Sequence, residues 1–576
     1  MLESRMRQKA AFFFIVILIV LILWAFLLIF RSAEQSGDSL AYAAAVRAGS
    51  GLSHPHHLIF NHVVRIFYSL LQGLHLSGDA ILAGQVHNVF WGMVILGLLF
   101  LIVRTIMRSS LWAALAVCLL FSSWGFLTFA TEVDVPIASL GALMISLSVV
   151  VIRSQEKFSF WNSIGLSLSW ALAILYHQSN LIFFFPLFYW VVSLRDRKRW
   201  GHILTVLGLT GFVVLAVYIW FFVQSPYPQS IEGFIEFCFR FKTIHLPGWG
   251  TSHNITPLGV GKVFHSQLTN VIYLPRQFMI VLTPMMALIV GFLLVWHFWQ
   301  IREKSEHRRN RIFLIVWLLA YYAFFLWWLP GEEEYFFSTL VPVLLLALLC
   351  ADDFRQKARR PEIREKVIQS TAGAIALVVL TFNFVGSVLP RHFDKGKHHH
   401  EAEALNRYLK EKMLVCSSYE VQQSLKYYFR NEHVIEDSIP LIYYYQHLPL
   451  PVHFSIHPDP RILYPIETLS PAFEIYGFSG FKNPEEWRAF LSYLLDVQWG
   501  SSGAPVSCRS FFWVSARRPY LAIREDRIAL RSWSELFDRL EKTWRDCCPK
   551  EADALRRWIL TYGSEPPARS SGKADR

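Results

Sequence analysis

Apolar runs long enough to cross a bilayer recur along the first two thirds of this chain, separated by short polar stretches. At 10–30, 84–103, 111–130, 135–152, 159–176, 179–194, 202–223, 277–300, 312–329, 336–351 and 368–389 the pattern predicts eleven transmembrane helices. A helix rises ~1.5 Å per residue, so about 20 apolar residues cover the hydrocarbon thickness. The first run, Ala10–Phe30, lacks a small-residue cleavage site and is longer than a signal h-region, which makes it a permanent anchor. The fold expected is a polytopic α-helical membrane module over residues 1–390, with long loops at 31–83 and 224–276.

In the first long loop Ile59, Val63, Ile66 and Leu70 recur at helical spacing beside a second stripe of Asn61, Arg65, Tyr68 and Gln72. That pattern suits a helix lying in the membrane interface or one packed on the bundle. The second long loop is rich in Phe, Pro and Gly, shows no strong periodicity and reads as a lid. Residues 391–562 differ in kind. Helical patterns at 401–412, 418–429, 483–499 and 532–562 alternate with strand-like runs at 413–416, 511–514 and 520–523, which predicts an α/β domain. His392 and His398 to His400 read as a solvated linker, and residues 563–576 as a disordered tail.

Composition agrees with the pattern. Of 576 residues 54% are hydrophobic and 17% charged, too apolar for an ordinary soluble protein. The net charge of +12 is not a nucleic-acid footprint, because the basic residues sit in short runs between spans. Six short segments on one side carry 22 Lys and Arg, whereas the two long opposite loops carry seven and the turns 131–134, 177–178 and 330–335 none. By the positive-inside rule the N-terminus is cytoplasmic, and an odd number of spans places the C-terminal domain outside. A bacterial inner membrane is the expected location. No CxxC pair marks a zinc or redox site, while Cys416, Cys508, Cys547 and Cys548 are compatible with disulfides in an outer domain.

Polar groups gather at the outer turns. Asp38, eight residues beyond the first span, can act as a general base towards a hydroxyl; it also stands where an N-cap of the alanine-rich stretch 40–48 would. Glu132 and Asp134, two residues apart in a short turn, can share a divalent cation such as Mg or Mn, or serve as acidic residues opening a helix. His54, His56, His57 and His62 can meet a metal, a sugar or a phosphate. His177 and Gln178 add a polar patch on the same face, as do Glu332, Glu333 and Glu334. Arg240 and Lys242 in the second loop have the charge that a phosphate leaving group needs. Walker A, GxGxxG, HExxH and GxSxG motifs are absent, which removes nucleotide-driven transport, dinucleotide redox chemistry and the common membrane hydrolases.

This layout resembles the glycosyltransferase class C superfamily, which includes protein O-mannosyltransferases, oligosaccharyltransferase subunits and aminoarabinose transferases. The resemblance rests on an anchor helix, the early acidic Asp38, juxtamembrane material from His57 to Gln72, and the second acidic motif Glu132-Val133-Asp134 between the third and fourth spans. It implies transfer of a sugar from a polyprenyl-phosphate donor to a lipid, glycan or protein acceptor at the outer face. Asp38 would be the base, with inversion at the anomeric carbon. Glu132 and Asp134 would hold a divalent ion or position the acceptor, His56, His57, His177, Gln178 and Glu333 would line the substrate site, and Arg240 or Lys242 would steady the phosphate. The rival is a transporter or flippase of a lipid-linked or anionic solute, which would call for ionisable residues at mid-membrane depth.

Overall fold

The apolar runs fold as helices, and the breaks between them fall where a polar side chain can satisfy the backbone that is set free. The protein is described by a computed structural model covering residues 19–153, 158–194, 199–225, 227–239, 250, 252–302, 307–356 and 361–406. Beyond these it covers residues 419–430, six strands between 414 and 529, and positions 535, 539 and 542. Two units separate, Met1–Lys395 and Gly396–Arg576.

The first unit runs through α1 (Ile19–Ile29), α2 (Gly37–Ala48), α3 (Phe60–Gly73), α4 (Ala80–Met107), α5 (Ser110–Ser122), α6 (Trp124–Thr131), α7 (Pro136–Arg153) and α8 (Phe160–Tyr176). It continues through α9 (Phe184–Val192), α10 (Arg199–Val223), α11 (Ile231–Cys238), α12 (Pro257–Val271), α13 (Arg276–Arg302) and α14 (Arg308–Trp328). The last elements are α15 (Glu333–Phe337), α16 (Leu340–Gln356), α17 (Pro361–Asn383) and α18 (Leu389–Phe393). Among the described residues six helices are long and apolar enough to cross a membrane, or seven when the bent pair α5 and α6 is one span. Four shorter apolar helices accompany them: Ile19–Ile29, Pro136–Ile152, Phe160–Tyr176 and Gln178–Val192. The chain is a multi-pass membrane protein.

The run 111–130, expected as one straight span, bends by 67° at Ser123. The Ser123 hydroxyl accepts from Phe126 N (3.4 Å) to start α6 and donates to Leu120 O (2.6 Å) to finish α5. The Ser122 carbonyl released by the bend accepts from Asn383 Nδ2 at 2.8 Å. Asn383 is fully buried, also donates to Val271 O (2.9 Å) and accepts from Tyr273 N (2.8 Å), so one amide ends three segments. A π-helical turn, Phe384–Val388, follows it directly, and Ser387 Oγ there accepts from Trp124 Nε1 at 2.9 Å.

Two helices turn polar residues inward and apolar residues outward. On α3, Asn61 and Tyr68 are buried while Ile66 and Leu70 are exposed, which favours the interface helix over one packed by its apolar stripe. The stretch expected to be an aperiodic lid holds α11 and α12. Thr256 caps α12 by accepting from Gly259 N (3.0 Å), and its buried residues include the polar Ser266, Gln267, Thr269 and Asn270 beside Val263 and Leu268, so a search for an apolar core face passes over it. At the end of the bundle that carries the basic loops, Arg311 and Asp353 make a two-point ion pair (2.6 and 2.9 Å), with Trp296 Nε1 also donating to Asp353 (2.9 Å).

The second unit contains α19 (Gly396–Asn406), α20 (Tyr419–Phe429) and a six-stranded mixed sheet in the order β2-β1-β3-β6-β5-β4. The strands are β1 (Leu414–Ser417), β2 (Val434–Glu436), β3 (Ile462–Pro465), β4 (Gln498–Trp499), β5 (Pro505–Ser515) and β6 (Pro519–Ala529). β1 is parallel to β2 and β3; β5 and β6 form an antiparallel pair with Val514 opposite Tyr520. Two expectations change here. Gln498 and Trp499, read as the end of a helix, are strand, and His398 to His400 lie within α19, where His399 is buried against Tyr428 at 4.5 Å. The rest of the helix expected at 483–499, the tail 563–576 and the side chains of the four cysteines lie outside the described residues.

Replacing Asn383 by Leu strands two carbonyls and one N–H in the bundle. The expected loss is roughly 2–4 kcal/mol, read as a lower melting temperature in nanodiscs. An unchanged melting temperature would show that the bend does not depend on this amide.

Candidate functional site

Three turns meet at the end of the bundle opposite the basic loops, and side chains from beneath fix each of them. The segment entering the first long loop is tied to the turn after α6. Gln85 Nε2 donates to Ser32 O (2.7 Å) and Thr131 O (2.9 Å), and Gln35 Oε1 accepts from Val133 N (3.3 Å). Ser36 then caps α2, accepting from Ser39 N at 3.1 Å. The cap is therefore Ser36, and Asp38 is an exposed residue of the first helical turn. Capping does not account for it.

Asn88, fully buried in α4, pins the second turn by donating to Glu132 O (2.7 Å) and Asp134 O (2.6 Å). Its Oδ1 meets His87 Nδ1 at 2.8 Å, while His87 Nε2 lies 3.1 Å from the Trp91 N–H. Because the indole can only donate, Nε2 accepts and the imidazole proton is on Nδ1. The two carboxylates of this turn take different partners. Glu132 is ion-paired with Arg391, whose Nε also donates to Glu34 (3.1 Å) and whose carbonyl accepts from Ala33 N (2.7 Å). Asp134, 7% exposed, accepts from Val135 N (2.7 Å) and interacts electrostatically with Asp38 and Glu334. Burial first, and the Asp38 charge second, push its carboxyl up to about 7.

The third turn lies between α14 and α15. Asn270 of α12 donates to Glu333 O at 2.7 Å, and His265 of the same helix faces the Glu333 carboxyl. Glu332 is held above the usual carboxylate range by burial, then by Glu333 and Asp38. Glu334 senses Asp134 and Asp38 first and Glu332 and Glu333 after them, so carboxylates of all three turns are within electrostatic reach of one another. Among the described residues no group of three or more His, Cys, Asp or Glu is arranged to hold a metal.

Imidazoles occupy the other flank. His54 and His57 stack at 4.2 Å with an angle of 10° between rings, and His56 lies 5.6 Å from His54. Tyr218 of α10 holds their loop by donating to Pro55 O at 2.6 Å. His177, beyond α8, accepts from Ser179 N (3.2 Å) and is an electrostatic neighbour of His56 and His57. Gln178 Nε2 donates to Cys238 O (3.0 Å), which brings the end of α11 beside this group. Burial is the main cause that lowers His56 to about 3 and His177 to about 4; His57 falls well below its ordinary value for the same reason. Tyr335 joins the flanks: its ring lies 6.0 Å from His177 and stacks on Phe325 at 4.9 Å, while Glu334, Glu332 and Asp38 act on its hydroxyl. Arg240 and Lys242 lie outside the described residues.

No protein-family model matches the sequence, and no curated protein is detectably similar to it in sequence. Solved structures are similar in fold. ArnT from Cupriavidus metallidurans bound to undecaprenyl phosphate aligns over 89% of this chain and 98% of its own, at 11% identity and a TM-score of 0.53. The same protein in the apo state covers the same shares at 12% identity and 0.52. The fold is that of the class C glycosyltransferases. An Archaeoglobus fulgidus oligosaccharyltransferase complex with Zn and sulfate, at 12% identity over 88% of this chain and 74% of its own, is more distant with a TM-score of 0.48. Within the class C fold, residues that fix the turns escaped the reading of motifs: Asn270, Arg391 and Tyr335 have no signature spacing, whereas Asn88 and Asn383 are visible as lone amides in apolar runs.

The raised Asp134 carboxyl has a definite sign in stability. Its folded form holds a proton between the ordinary carboxylate value and about 7, so its contribution is full in acid and is lost as pH rises through 7. Asp134→Asn keeps the acceptor for Val135 N. The variant is expected to match the parent in melting temperature near pH 4, gain steadily to pH 7 and stay at least about 2 °C higher above it. A lower melting temperature at pH 8 would contradict the repulsion.

Proposed function

We propose that this protein transfers a sugar from a polyprenyl-phosphate donor to an acceptor hydroxyl at the outer face of the membrane. The observation that carries the reading is Asp38: exposed, not a helix cap, and facing Asp134 and Glu334 in a class C fold whose ArnT neighbour is bound to undecaprenyl phosphate. The Asp38 carboxylate takes the proton of the acceptor hydroxyl as that oxygen attacks the anomeric carbon from the side opposite the phosphate. The carbon–oxygen bond to the donor phosphate breaks, the polyprenyl phosphate leaves as an anion, and the sugar is inverted. The leaving group needs no proton, so one base suffices.

The other residues have separable roles. Glu132, tied to Arg391, and Asp134 hold a divalent cation such as Mg or Mn or position the acceptor, and Glu334 lies on the same side. His56, His57, His177, Gln178 and Glu333 line the site, with Arg240 and Lys242 as fixed charge for the phosphate. Eleven crossings, with the asymmetry of Lys and Arg, would give a cytoplasmic N-terminus and an α/β domain from Gly396 onward outside, in a bacterial inner membrane; the six or seven long and four shorter apolar helices are compatible with that number.

Asp38→Asn is expected to lower transfer from polyprenyl-phosphate sugars by about 10²–10⁴-fold without lowering the melting temperature, since the residue is exposed and its charge repels those of Asp134 and Glu332. Undiminished transfer would remove Asp38 from the chemistry.

A further inference from the structure

The acidic flank of the site explains activation of an acceptor but leaves the imidazole flank without a task. Four histidines on two segments, 54–57 and 177, are gathered there. Two imidazolium rings stacked at 4.2 Å would repel strongly in a partly buried place, so at most one of His54 and His57 is charged in the empty site. His57 is 6% exposed, and its Nε2 has no hydrogen-bond partner among the described residues. A buried imidazole nitrogen without a partner costs free energy unless a ligand supplies one.

The surroundings identify the ligand by sign. The electrostatic partners of His57 are His54, His56 and His177, with no carboxylate among them. Tyr42 of α2 lies against its ring at 4.9 Å, and Tyr218 of α10 is engaged by Pro55 O. On α3, His62 Nε2 meets Ser53 Oγ (3.0 Å) and Arg65 is turned away onto Val46 O (2.5 Å). Cys238 of α11 is near Tyr218, and Tyr335 lies beside His177 and in reach of Glu332, Glu334 and Asp38. A cluster of imidazoles without a carboxylate neighbour becomes positive on protonation, which matches an anion that arrives and departs.

We infer that His57 and His177, with His54 and His56, receive the phosphate of the lipid donor and take up a proton as it binds. The inference rests on the donor reading above. The phosphodiester anion raises the affinity of the adjacent imidazoles for a proton; the imidazolium then donates to a phosphate oxygen, and the proton leaves when the polyprenyl phosphate departs.

The test uses the full chain in nanodiscs and a polyprenyl methyl phosphate, a diester that does not itself titrate near neutrality. Calorimetric titrations between pH 6 and 8, in two buffers of different ionisation enthalpy, should show uptake of about one proton per diester and an affinity falling by up to about tenfold per pH unit. His57→Gln and His177→Gln, each checked for an unchanged melting temperature, should lose both the uptake and the slope. If His57→Gln fails to fold, His177→Gln alone decides. Dimethyl phosphate should bind far more weakly; equal affinity would move the site to a soluble phosphate and overturn the lipid assignment. Tight diester binding without proton uptake, or uptake that survives both substitutions, overturns the inference and leaves the donor reading standing. Absence of diester binding at every pH overturns both.

Discussion

A helix that stops inside a bundle surrounded by lipid leaves carbonyls and amides with no water to turn to, and here buried asparagines take them. Asn88 holds the carbonyls of Glu132 and Asp134, Asn270 that of Glu333, and Asn383 those of Ser122 and Val271. Asn180 does the same for Ala173 O (2.8 Å) while accepting from Tyr321 OH (2.9 Å). Each amide can donate and accept at once, so each can end one helix and position the next segment. Without such partners the turns that carry the carboxylates could not be held at one end of an apolar bundle.

What the pinned turns achieve is a separation of charge types. Carboxylates from α2, the 132–134 turn and the 332–334 turn lie on one flank, where burial first and the Asp38 charge second raise Asp134 to about 7. Histidines held neutral by burial lie on the other. A sugar bonded to a phosphate has the same polarity: an electrophilic carbon that needs a base beyond the incoming hydroxyl, and an anion that needs donors. The ion pair of Arg311 with Asp353 sits at the end that carries the basic loops and closes on itself. It is part of the architecture of α14 and α16 and offers no relay at mid-depth, so the transporter alternative gains nothing from it.

The sequence made some of this legible for physical reasons. Spans and the asymmetry of Lys and Arg are collective signals, and Asp38 stands out because a carboxylate shortly after a membrane anchor is costly. The bend at Ser123 was hidden because a broken span is as apolar as a straight one. α12 was hidden because its inward face is polar. The pairing of Glu132 with Arg391 links residues 259 positions apart, and no local pattern announces it. Nor does spacing show that Glu132 takes a cation as partner while Asp134 senses Asp38 and Glu334.

The claim on which the account depends is that separate turns bring carboxylates to one place. A thermal double-mutant cycle of Asp134→Asn and Glu334→Gln at pH 8 tests it without needing to know the sugar. Each substitution relieves the same repulsion, so the account predicts that the double variant gains less than the sum of the two single gains, with a coupling of about 0.5–3 kcal/mol. Strictly additive changes would mean that the two carboxylates do not sense each other, and the site described here would not exist as one site.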